Sequence, residues 1–99
     1  MAQRFVVYWR DIPAQVIVRQ GRQSEKRELP ERFIQAIDRA AMRAGLTESD
    51  DYLAQWRRGE AEACDDALAA AADAAMASLI ETYDDARLDA LVQNGGHAA

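Results

Sequence analysis

Hydrophobic and polar positions alternate through the first twenty residues. Phe5, Val7 and Trp9 fall on one side of the run and Arg4, Val6, Tyr8 and Arg10 on the other. Gln15 to Arg19 repeats the pattern, with Val16 and Val18 opposed to Gln15, Ile17 and Arg19. Period two in aromatic and β-branched residues predicts strands. The connection Asp11-Ile12-Pro13-Ala14 suits a tight turn, because proline presets φ and donates no ladder hydrogen bond. The expected product is a β-hairpin with Phe5, Val7, Trp9, Val16 and Val18 toward the core. Its second face, with Val6, Tyr8 and Ile17, is too apolar for simple solvation, and a lone hairpin is marginal in water. A further strand, for instance from a partner subunit, or a second helix is expected to cover it. Residues 20–29 are polar and mixed in charge, which reads as a mobile loop or as an extension of the second strand to Arg22.

The period then changes. Pro30 opens a first helix, where its missing N–H costs nothing, and Phe33, Ile37, Ala40, Ala41 and Ala44 make a helical stripe that Gly45 ends. A second helix is predicted from Thr47, with Asp50 as a shortened capping box, Tyr52, Leu53 and Trp56 as its apolar face and Gly59 at its end. From Glu60 to about Val92, alanine-rich spacing predicts a third helix. At about 1.5 Å per residue it would span about 50 Å, so it is expected either to break near Tyr83–Asp85 or to project and pair with another chain. The reading is an α+β protein: an N-terminal β-hairpin followed by three helices, the last long and acidic. Residues 1–93 form one small domain, and 94–99 a disordered tail.

Charge sharpens this picture. The net charge is −5, but residues 1–46 carry nine Arg or Lys against five acids, and residues 47–99 three arginines against twelve acids. An acidic protein is a poor general nucleic-acid ligand, so nucleic acid is a disfavoured partner. The basic half is free to meet an acidic partner or the acidic half itself, within the molecule or across a dimer. The single cysteine, Cys64, excludes an intrachain disulfide. No apolar run is long enough to span a bilayer, there is no signal-like leader, and a cytoplasmic setting is the default.

Candidate chemistry is thin. Cys64 sits among Glu60, Glu62, Asp65 and Asp66, which raise a thiol pKa, so a small core residue is the stronger reading. Glu81, Asp84, Asp85 and Asp89 share a helical spacing but lack the Glu-x-x-His pattern of helical di-metal sites, so they read as a solvated face. Scattered glycines make no phosphate loop, and the lone His97 positions no triad. No catalytic residue, metal site or cofactor is assigned, and a non-enzymatic role is favoured. Two surface features remain. Tyr8, Trp9, Arg10 and Asp11 combine the residue types of binding hot spots, against an even reading of Trp9 as core and Arg10–Asp11 as a turn pair. The basic stripe Arg19, Arg22, Lys26, Arg27 and Arg32 is interleaved with Glu25, Glu28 and Glu31, which favours a protein-facing or merely soluble surface.

The segments Tyr8-Trp9-Arg10-Asp11-Ile12-Pro13-Ala14-Gln15-Val16, Arg27-Glu28-Leu29-Pro30-Glu31-Arg32-Phe33, Ile37-Asp38-Arg39-Ala40-Ala41-Met42 and Tyr52-Leu53-Ala54-Gln55-Trp56-Arg57-Arg58-Gly59 resemble the small proteobacterial proteins grouped as the "virulence factor" family, over about residues 4–58. The resemblance supplies no catalytic residues. It implies an accessory role beside folate- and corrinoid-linked one-carbon transfer. The expected function is a small interaction or accessory protein with its contact surface on the hairpin and helix 1, through Tyr8, Trp9, Arg10, Asp11, Arg27 and Arg32. A homodimer through helix 3 or the hairpin's open edge is expected. The alternatives are a nucleic-acid-associated regulator using the basic half and a small subunit of a one-carbon enzyme system.

Overall fold

The strand nearest the N-terminus is the hub of the molecule. The computed structural model describes residues 2–46 and 49–98. Within them β1 (Ala2–Trp9) pairs antiparallel with β2 (Ile12–Gln20), and β2 with β3 (Gln23–Glu28). The other edge of β1 is covered by two short strands placed end to end, β4 (Trp56–Arg58) along Val7–Trp9 and β5 (Glu62–Cys64) along Ala2–Arg4. The helices are α1 (Glu31–Arg43), the single turn α2 (Ser49–Leu53), α3 (Leu68–Thr82) and α4 (Asp85–Gln93). The α+β class holds, with N-terminal antiparallel strands followed by helices. The count differs from expectation: five strands and four helices among the described residues.

Each difference has a local cause. Residues 23–28 form β3 although they are all polar, because pairing along β2 satisfies their backbone and sends Glu25 and Arg27 to one face, Ser24, Lys26 and Glu28 to the other. Residues 56–64, expected to be helical, are instead an edge strand broken at Gly59. A Cβ at Gly59 would lie 2.9 Å from the Tyr8 ring and 3.2 Å from the Val6 carbonyl, while the Gly59 N–H donates to that carbonyl at 2.8 Å. The long helix starts only at Leu68 and breaks at Tyr83–Asp84, where the Asp84 side chain caps α4 by accepting from the Arg87 N–H at 2.8 Å. An unbroken helix would have exceeded the 40 Å length of the molecule. The predicted start of the second helix at Thr47 lies outside the described residues.

The hairpin turn is Arg10–Asp11, so Ile12, Pro13 and Ala14 belong to β2. Ala14 is an extra residue: Tyr8 faces Pro13 and Val7 faces Gln15. Without that bulge, Phe5 would oppose Val16. With it, Val6 opposes Val16, Arg4 opposes Val18, and Phe5 opposes Ile17. One inserted residue therefore exchanges the faces of β1. Val6 joins Val16, Val18 and Ala2 against Ala71, Ala72 and Ala75 of α3, a close approach that alanine permits. Trp9 and Ile12 close instead on Phe33, Ile37 and Ala40 of α1 and Leu88, Leu91 and Val92 of α4. Phe5, Val7 and Ile17 belong to neither cluster; they share the face of the hairpin turned away from α3. Cys64 is half-buried at the edge of the α3 cluster.

Residues 94–98, expected to be a disordered tail, are placed against the hairpin turn. The Asp11 N–H donates to the Gly96 carbonyl at 2.8 Å, the Ala98 N–H donates to Asp11 Oδ2 at 2.6 Å, and Gly96 (φ +96°) lies flat on Trp9. A side chain there would meet the Trp9 ring at 2.8 Å, so the glycine makes the contact available. No helix among the described residues is long and apolar enough to cross a membrane.

Candidate functional site

The aromatic–arginine turn is held from within. Arg10 is the one described non-glycine residue at positive φ, +53°, a left-handed conformation that neighbours must hold in place. Its N–H donates to the Gln55 carbonyl at 3.0 Å, its Nε to Gln55 Oε1 at 3.1 Å and its Nη1 to the Gly95 carbonyl at 2.8 Å. Trp9 is fully buried; its indole N–H donates to the Tyr52 carbonyl at 3.0 Å and its ring packs 5.6 Å from that of Tyr52. Of the six residues singled out in the sequence, the structure brings Tyr8, Trp9, Arg10 and Asp11 together, and leaves Arg27 and Arg32 apart.

Arg27, on β3, pairs with Glu25 at 2.9 Å and with Asp73 of α3 at 2.7 Å; hydrogen bonds to Asp73 and then Glu25 raise its pKa further. Arg32 donates to the Tyr83 and Ile80 carbonyls at 2.6 and 3.0 Å, satisfying the open C-terminal end of α3. Arg4 meets Glu62, Arg39 meets Asp89, and Arg57 meets Asp11. The basic and acidic halves of the chain thus neutralise one another inside one molecule. Asp84, Asp85 and Asp89 are spent likewise on a cap and on pairs with Arg32 and Arg39. No group of acidic, cysteine or histidine side chains able to hold a metal occurs among the described residues.

Two regions stand out against this seam. The first is the hairpin face turned away from α3. There Phe5 lies between two guanidinium groups, Arg58 at 4.6 Å and Arg19 at 5.5 Å from its ring. Val7 and Ile17 flank it half-buried, and Lys26 and Glu28 stand exposed on the adjoining strand. Arg19, Lys26 and Arg58 make no ion pair among the described residues. Sequence reasoning named Arg19 and Lys26 only as part of a stripe, and it read Arg57 and Arg58 as the end of a helix. The missing signal was strand pairing, which a three-residue edge strand does not announce.

The second is a cleft of about 680 Å³ beside α4. Tyr8 and Arg57 form one wall, Tyr83 and Arg87 another, and Asp11, Asn94 and His97 close the end. Each arginine lies over a tyrosine ring at 4.4 Å, Arg57 on Tyr8 and Arg87 on Tyr83. The Asp11 carboxyl is held below its ordinary pKa, first by the Ala98 N–H and then by Arg57. The Tyr8 hydroxyl is pushed up, chiefly by burial and then by Tyr83, so it stays protonated at neutral pH.

The family described as Virulence factor matches residues 7–92, from the last three residues of β1 to the last turn of α4. The chain belongs to that family. No curated protein and no solved structure matches it.

Proposed function

We propose that this member of the Virulence factor family is a non-enzymatic accessory protein that docks an acidic segment of another protein on the hairpin face turned away from α3. The observation that carries this reading is the distribution of unpaired charge. Most cations of the basic half are consumed by carboxylates or carbonyls of the same molecule, yet Arg19, Lys26 and Arg58 stand around Phe5, Val7 and Ile17 with no ion-pair partner among the described residues and outnumber the Glu28 carboxylate on that face. Apolar area framed by arginine is the composition of a binding surface, and the excess of positive charge selects a partner of negative charge. Trp9 and Arg10 act here as the frame that fixes the hairpin, and Arg32 ties α1 to the end of α3. Tyr8 and Asp11 stay on its cleft side. The free thiol and the absence of a spanning helix among the described residues are compatible with work in the cytoplasm.

The test is affinity purification from the native host with the wild-type chain and the R19Q/K26Q/R58Q variant side by side. The expected result is an acidic protein identified by mass spectrometry that the wild type retains, that the variant loses, and whose recovery falls with salt. Equal recovery by both chains overturns the reading. Loss of bound RNA, or of self-association in light scattering, as the variant's main defect would assign the face to those partners instead.

A further inference from the structure

The cleft beside α4 is independent of that docking face and has its own chemistry. Its volume, about 680 Å³, lies within the range of small-molecule sites, about 300–1,000 Å³. Its walls come from β1, β4, the end of α3, α4 and residues 94–98, so only the folded chain assembles it.

Its charged groups are arranged unequally. Arg57 donates through Nε to the Arg10 carbonyl at 2.8 Å and through Nη2 to Asp11 Oδ1 at 2.9 Å. Asp11 in turn accepts from the Ala98 N–H, so the one acid of the cleft is already engaged on both oxygens. Arg87 makes neither an ion pair nor a side-chain hydrogen bond among the described residues, while the Tyr83 ring beneath it restricts where its guanidinium points. Two cations against one neutralised acid leave a net positive site. Tyr8, kept protonated, adds a neutral donor, and Ala90 and Leu91 of α4 supply an apolar floor.

We propose that this cleft binds a small organic oxyanion, a carboxylate or phosphate monoester, with the anionic head on Arg87 and Arg57 and the apolar body on Ala90 and Leu91. A guanidinium fork matches either oxyanion in two-point fashion. The neighbouring aromatic faces are covered by arginine, so the head group rather than ring stacking is what the site selects.

The chain of residues 1–99 titrated with phenyl phosphate, with benzoate and with neutral benzyl alcohol, followed by calorimetry and by amide and arginine Nε shifts in NMR, tests this. Expected is saturable binding of one or both anions, with shifts at Arg57, Arg87 and Asn94 and none with benzyl alcohol; which anion binds tighter decides between phosphate and carboxylate sources. R87Q should weaken binding at least about tenfold, as loss of a charge-assisted pair does. A90F, which fills the floor and leaves every charge in place, should block it as well. R19Q/K26Q/R58Q should bind like the wild type, which separates failure here from failure of the docking face. No saturable binding of either anion, equal binding by folded R87Q, or loss of binding in the triple variant overturns the proposal.

Discussion

Lys26 and Arg27 are neighbours in sequence and have opposite fates. Arg27 points to the α3 side of the sheet, where Asp73 and Glu25 hold it at 2.7 and 2.9 Å. Lys26 opposes Ile17 on the other side and has no ion-pair partner among the described residues. The same contrast divides the cations of both halves. One population of cations is used to fasten the strands to the acidic helices. The other, Arg19, Lys26 and Arg58, is left around Phe5. Alternation along a strand produces both populations from one polar segment, so net charge per segment says little about which cations are available.

Substitutions sharpen that contrast, beginning with the largest effect. W9A should cost about 3–5 kcal/mol of stability, because Trp9 is fully enclosed between α1, α4 and Gly96. F5A should cost clearly less in the same denaturant titration. Phe5 is as well covered, at 6% exposure, but its recorded cover is the side chains of Arg19 and Arg58 rather than a helix, and flexible arginines collapse into the gap. Equal losses for W9A and F5A would show that the two sides are packed alike. G96A should cost about 1–3 kcal/mol, the range of an overpacked contact, since its Cβ meets Trp9 at 2.8 Å and φ is +96°.

Smaller effects follow from charge. The Asp11 pKa is lowered in the folded state, so its contribution is present above the ordinary carboxylate value of 3.8 and is lost as pH falls through the lower folded value. D11N should therefore flatten the acid limb of a melting-temperature profile below about pH 4. An acid limb unchanged in D11N would mean that the Ala98 and Arg57 bonds do not form in solution. R19Q/K26Q/R58Q removes the two guanidinium groups over Phe5 and should cost about 1–2 kcal/mol, as two exposed cation–π contacts do, while the chain stays folded. R27Q should lower the melting temperature only slightly, because exposed ion pairs contribute little.

Much of the fold was readable from residue patterns, and the failures share one physical origin. The apolar stripe of α1 and the alternation of β1 and β2 predict the elements directly, and the length of the alanine-rich segment points to a break near Tyr83–Asp85, which the structure shows with Asp84 as the cap of α4. Pairing is different. Which face of β1 meets α3 depends on one extra residue at Ala14, and nothing in the alternation of β1 itself distinguishes the two registers. β3 has no apolar residue to reveal it, and β4 and β5 are too short to override the helical propensity around them. Tyr8 and Asp11 were singled out from composition, and both line the cleft. Arg58 and Arg87 became candidates only once strands and helices placed them beside Phe5 and Tyr83.

The contact of Gly96 with Trp9 also orders events in time. β1 pairs with residues up to Cys64, Arg10 donates to the Gly95 carbonyl 85 positions away, and Asp11 accepts from the Ala98 N–H 87 positions away. Loop closure across such separations is slow relative to local helix formation. During synthesis the hairpin would therefore wait, with its tryptophan uncovered, until Gly96 has been made. A nascent chain halted before residue 96 should be more accessible to proteases and chaperones than its secondary structure alone would imply.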